Sequence, residues 1–272
     1  MKFGLNKITY KNIVSGTSLL QTHNNSISFC QDKINVVIGP NGSGKSTLLK
    51  DLAARYMAFD RGVTCLDTAI LNRDIYKRLF TKKEGWYRSE TFMRDIDVVS
   101  ANCAACYWSP NFNFGGWEML SAALMSGYYN EAKLRYRHTR EKSSGEGIKN
   151  QLDHVMEIAL TGQRIRVDIP EKPFGELLNE RLRLLKPLFK DTDKNKTIVL
   201  LDEPEQSLDI LNEMKFWDDL LKVNLDDVQL IVATHSMYPL VSPKFKDKLN
   251  CIEAVAGYSQ SVIDQWSRVS VC

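Results

Sequence analysis

Three short apolar runs and a glycine-rich loop predict an α/β fold: a mostly parallel sheet flanked by helices, with an inserted helical subdomain. Ile34–Ile38 (INVVI), residues 197–201 (TIVLL) and residues 228–233 (VQLIVA) are continuous apolar segments of strand length, as expected of strands buried on both faces. The first run ends at Gly39. From residue 46 to 57 the period changes, and Leu48, Leu49, Leu52, Ala53 and Met57 recur at helical spacing. Residues 210–221 repeat that period between the other two runs. Strand and helix in alternation imply a parallel sheet covered by helices.

The middle of the chain breaks this rhythm. Residues 62–67, Ile96–Ser100 and 104–108 read as short β segments, whereas 116–140 and 145–160 read as helices. A polar turn at 191–196 (DTDKNK) leads back to the core. The expected organisation is residues 1–111 for the first part of the core, 112–195 for a helical subdomain and 196–272 for the rest of the core. Past Ser236, apolar stretches at 251–256 and 261–266 read as edge strands or a closing helix.

With 272 residues, 43% hydrophobic and 25% charged, the chain reads as one large folded domain or a domain with an insertion rather than a disordered or rod-like protein. Its net charge of +3 is too small for whole-chain attraction to nucleic acid. No apolar run approaches the roughly 20 residues that span a bilayer. Residues 1–10 lack the apolar core of a signal peptide, so the expected location is the cytoplasm and direct membrane insertion is not expected. Six cysteines at irregular spacing suit reduced thiols. Cys103 and Cys106 form a CxxC without a matching second pair or histidine spacing, and read as buried small side chains.

The chemistry concentrates in two places. Gly39-Pro40-Asn41-Gly42-Ser43-Gly44-Lys45-Ser46, followed by Thr47, fits GxxxxGK[ST] through Ser46 and lies between an expected strand and an expected helix. In that context successive backbone N–H groups and the helix N-terminus surround a phosphate, and glycines permit its close approach. Lys45 is placed to reach the β- and γ-phosphates, and Ser46 to coordinate Mg²⁺. The run at 197–201 leads directly into Asp202 and Glu203, at the strand end where ligands of open α/β sheets collect. Asp202 suits the magnesium shell, and Glu203 suits a base that orients the attacking water.

The order of GPNGSGKST, LLDEPEQSLD and IVATHS resembles the ATP-binding-cassette (ABC) type ATPases. The resemblance implies Mg-ATP held between two subunits, a homodimer or higher oligomer. It makes Ser207-Leu208-Asp209 a loop that crosses to the partner, so that Asp209 serves the nucleotide site, and His235 the switch histidine near the γ-phosphate. It also implies a serine-glycine signature at a helix N-terminus. Residues 143–147 (SSGEG), with Ser144 and Gly145, are the best candidate, although they depart from LSGGQ and lie unusually far ahead of Asp202. Residues 160–163 (LTGQ) and 174–176 (FGE) are rivals. The family's glutamine between core and helical subdomain has no counterpart from Thr47 to Asn150; Asn111 is the candidate replacement at the metal, against an ordinary turn asparagine after Pro110. Tyr10 is the upstream aromatic, better suited to packing than to stacking on adenine.

Lys133, Arg135, Arg137, His138, Arg140 and Lys142 form a basic run before the signature candidate, which makes nucleic acid one candidate partner beside a solvated helix face. No sustained heptads exist between 47 and 143, which sets aside relatives with long coiled-coil arms. The Asp-Glu-Pro-Glu form, with Glu205, resembles soluble ATPases of the recombination, overcoming-lysogenisation and phage-defence type. The expectation is therefore a soluble ABC-type ATPase that drives a separately encoded effector, such as a nuclease. The alternative is the nucleotide-binding subunit of an ABC transporter. A phosphate-loop kinase and a non-hydrolysing scaffold are the further readings.

Overall fold

The computed structural model describes residues 4–11, 17–56, 59–60, 96–101, 103–110, 144–162 and 194–269. Within them the elements run β1 (Leu5–Tyr10), α1 (Ser18–Thr22), β2 (Ser26–Ser28), β3 (Ile34–Ile38), α2 (Lys45–Tyr56), β4 (Phe59–Asp60), β5 (Ile96–Ser100), β6 (Ala105–Trp108), α3 (Ser144–Thr161), β7 (Thr197–Asp202), α4 (Ile210–Leu220), β8 (Val228–Thr234), α5 (Tyr238–Val241), β9 (Leu249–Glu253) and α6 (Tyr258–Val269). The α/β reading holds. One sheet of order β4-β6-β7-β8-β3-β9 is parallel at every pairing, and a smaller antiparallel sheet of order β2-β1-β5 lies beside it.

Strand parity builds the two cores. On the central strands Val36, Ile38, Val199, Leu201, Leu230 and Val232 belong to one apolar cluster, which α3 and α4 complete with Leu152, Val155, Phe216 and Trp217. Their neighbours Val37, Ile198, Leu200, Ile231 and Ala233 belong to the other, which α2 completes with Leu48, Leu49 and Leu52 and β1 with Leu5 and Ile8. Continuous apolar runs follow directly, since a strand covered on both faces has no solvent side. Buried Gln229 joins the two sheets: its amide oxygen accepts from the Leu5 N–H at 2.7 Å, and its amide nitrogen donates to the Leu5 carbonyl at 2.8 Å.

Of the C-terminal stretches, the first is the edge strand β9 and the second lies on the closing helix α6. Helix α3 matches the expectation at 145–160. The segments expected at 62–67 and 116–140, the basic run at 133–142 and most of the subdomain at 112–195 lie outside the described residues. Cys103 and Cys106 are buried but fall in different core clusters, and burial pushes the Cys103 thiol up to about 12. Tyr10 is buried with its hydroxyl donating to Asp51 at 2.9 Å, the packing role expected of it.

Candidate active site

The strand order sets the site. β3, β8 and β7 are adjacent, so the glycine loop after β3, His235 after β8 and the acids ending β7 meet at one edge of the sheet. The loop runs from Gly39 into α2, whose first residue is Lys45. Gly42 and Gly44 take φ of +74° and +104°, conformations that L side chains rarely adopt. A Cβ on Gly44 would stand 2.4 Å from the Thr17 hydroxyl oxygen, whereas one on Gly42 would project into open space. That open concavity, the first turn of a 12-residue helix and the buried, unpartnered Ser43 hydroxyl suit a bound phosphate chain. Asn41 is exposed on the same loop and Thr47 lies in the first turn of α2.

The Lys45 amine donates to the Gly39 carbonyl at 3.0 Å and to the Pro40 carbonyl at 3.2 Å, and lies 3.0 Å from His235 Nε2. Burial lowers its pKa below the lysine value, against the opposing charges of Glu203, Asp202 and Glu205. The same His235 Nε2 is 3.1 Å from Glu203 Oε1. An ammonium only donates and a carboxylate only accepts, so one ring nitrogen serves Lys45 with its lone pair or Glu203 with its proton, never both. His235 thus stands as a two-way partner between the loop lysine and the acid.

Asp202 and Glu203, though consecutive, face different surroundings. Strand parity puts Asp202 on the α2 side with Ile198 and Leu200, where its Oδ1 accepts from the Ser46 hydroxyl at 2.8 Å and its Oδ2 from the Tyr107 hydroxyl at 3.0 Å. Burial raises the Asp202 pKa, and these two hydroxyls oppose the rise. Carboxylate and hydroxyl oxygens in contact are the hard donor set that Mg²⁺ prefers. Glu203 leaves the strand in the left-handed region, φ +51° and ψ +55°, with its N–H donated to the Ala233 carbonyl at 2.8 Å. For a residue with a side chain this conformation is strained, and such strain gathers at functional sites. It turns the Glu203 carboxylate out of the sheet toward His235.

Three residues join this constellation that motif spacing alone did not select. Tyr107 sits on β6, beside β7, and only its parity on that strand signals that it shares the Asp202 side. Glu205 Oε1 accepts the His235 N–H at 2.6 Å, and burial raises the Glu205 pKa. Gln206 donates its amide to Glu203 Oε2. Asp209 caps α4, accepting the Asn212 N–H at 2.9 Å, and is exposed. Ser144 and Gly145 open the 18-residue α3, a separate element that packs on β6, α4 and the turn at Pro204–Ser207. Asn111 lies outside the described residues.

A glycine loop opening a helix, an acid pair on the next strand but one and a histidine on the strand between define a phosphate-loop nucleotide hydrolase. The family model described as ABC transporter matches residues 22–206, so the chain belongs to the ATP-binding-cassette family and is an ABC-type ATPase, a class that binds ATP with Mg²⁺. Among known proteins, "Phosphate import ATP-binding protein PstB 1" of Lactobacillus johnsonii is 26% identical over 232 residues, covering 82% of this chain and 72% of its own length. "Phosphate import ATP-binding protein PstB 3" of Streptococcus pneumoniae serotype 4 is 26% identical, covering 79% of this chain and 74% of its own. "ABC transporter A family member 4" of Dictyostelium discoideum is 25% identical over 77% of this chain and 11% of its own length. Among the described residues no helix is long and apolar enough to cross a membrane.

Proposed function

We propose that this chain is the ATP-hydrolysing motor subunit of a transporter-type assembly, working as a dimer and passing its motion to a separate membrane-spanning permease. The observation that carries the proposal is the match to subunits named for phosphate import over nearly three quarters of their length. This favours the transport alternative over the effector-driving reading that the Asp-Glu-Pro-Glu form suggested.

At each site Lys45 leaves its loop carbonyls for the β- and γ-phosphates, and Ser46 and Asp202 hold the cation shell. Bound Mg²⁺ supplies charge neutralisation at the phosphates. Glu203 then accepts the proton of the attacking water, and His235 Nε2, released from Lys45, keeps the Glu203 carboxylate aimed. Helix α3, within a helical subdomain at 112–195, presents Ser144 and Gly145 with its N-terminal N–H groups to the partner's nucleotide, while Asp209 crosses the interface.

A second reading has its own observation. Glu205, the residue that resembles soluble family members, holds the His235 backbone directly, which would suit a motor for a soluble effector such as a nuclease, including one used in phage defence.

Fractionating cells of the native host separates the two. Under the transport reading the tagged chain sediments with membranes, leaves them on alkaline carbonate washing and co-purifies in mild detergent with a polytopic protein encoded beside it. Recovery in the soluble fraction with a neighbouring nuclease would reverse the order of the readings.

A further inference from the structure

We infer that Tyr107 is a positioning residue for the metal shell, fixing the Asp202 carboxylate so that one oxygen faces Ser46. The inference rests on Asp202 being the cation-holding acid. Asp202 is 3% exposed and has two oxygens, each met by one hydroxyl: Ser46 on Oδ1 at 2.8 Å and Tyr107 on Oδ2 at 3.0 Å. The two hydroxyls differ in what they can do. Ser46 lies in the first turn of the helix after the glycine loop, where its oxygen can turn to whatever binds there, so its bond to Asp202 is exchangeable. Tyr107 is 2% exposed, on a strand paired to β7 with Tyr107 opposite Leu200, and its ring packs in the α2-side core. Its hydroxyl cannot swing away without repacking that core.

A phenol has a single proton to donate, and here Asp202 Oδ2 takes it at 3.0 Å. With the ring fixed in the core, that bond limits rotation of the carboxylate. Outer partners of this kind orient ligating carboxylates, and losing one commonly weakens metal affinity by about 10- to 100-fold. With Tyr107→Phe, Asp202 keeps its place on β7 but loses the bond that orients Oδ2, and its carboxylate rotates more freely at the cation.

The test is Mn²⁺ binding to the full chain with a non-hydrolysable ATP analogue, followed by electron paramagnetic resonance. Tyr107→Phe should bind Mn²⁺ about 10-fold more weakly than the wild type, with nucleotide affinity in EDTA unchanged and a lowered melting temperature, since a buried carboxylate oxygen loses its donor. Incorporating 4-aminophenylalanine at 107, which keeps a donor in the same shape, should restore most of the loss. That restoration distinguishes a lost bond from a disturbed core even where Tyr107→Phe folds poorly. Asp202→Asn is the control for the premise and should weaken Mn²⁺ at least as much. Weakening by Asp202→Asn with Mn²⁺ affinity of Tyr107→Phe within twofold of the wild type would overturn the inference alone. Unchanged affinity in Asp202→Asn would remove the premise and the inference with it.

Discussion

Lys45 Nζ and His235 Nε2 stand 3.0 Å apart, across a sequence separation of 190 residues. The contact ties the glycine loop after β3 to the end of β8. Because His235 Nε2 also lies 3.1 Å from Glu203, moving Lys45 onto phosphate changes the histidine's partner as well as the lysine's. Lys45→Ala should therefore lose ATP binding outright, by more than about 100-fold in a fluorescent-nucleotide titration.

Glu203→Gln keeps the size and the backbone turn but cannot take a proton. ATP should bind as in the wild type while phosphate release slows by about 10² to 10⁴, the usual worth of a general base. Normal turnover in this variant would remove Glu203 from that role.

His235→Ala should separate the same two quantities by a smaller margin. Nucleotide affinity should stay within a few fold, since Lys45 retains its phosphate partner, and kcat should fall by on the order of 100-fold as the Glu203 carboxylate loses its aim.

Burial holds the Lys45 ammonium below the ordinary lysine value of 10.5. Above that depressed pKa the free protein has shed the proton, whereas bound phosphate favours the charged form, so binding takes a proton up. ATP affinity should fall as pH rises through the depressed value. The unliganded fold should gain stability from there to 10.5, because in that window the unfolded chain binds more protons than the folded one. Titrations from about pH 7 to about pH 10 check the binding arm, with Lys45→Arg giving a flat profile because a guanidinium stays charged.

Away from the site, Trp217 is fully buried and meets Phe216 and Phe245 edge to face, with centroids at 5.5 and 6.0 Å. Trp217→Ala should cost about 3–5 kcal/mol in chemical denaturation, a large share of the stability of a single domain.

The parallel sheet was legible because its strands are covered on both faces, which leaves runs such as TIVLL almost wholly apolar, without the alternation of a half-exposed strand. Lys45, Ser46, Asp202 and Glu203 were legible because phosphate chemistry needs those types at a fixed spacing around a strand end. Tyr107 was not, since its role depends on β6 lying beside β7, a pairing between segments far apart in the chain. The turn of Glu203 away from Asp202 was likewise hidden, because a left-handed glutamate has no sequence mark. The transport reading came from relatives rather than from residues: the Asp-Glu-Pro-Glu form with Glu205 pointed toward soluble members of the family.

In the proposed cycle ATP itself joins two copies of this chain and Glu203-dependent hydrolysis parts them. Sedimentation velocity of Glu203→Gln with Mg-ATP and with Mg-ADP tests it most directly. A dimer with ATP and a monomer with ADP is the expected result; the same mass in both nucleotides would contradict the proposed cycle.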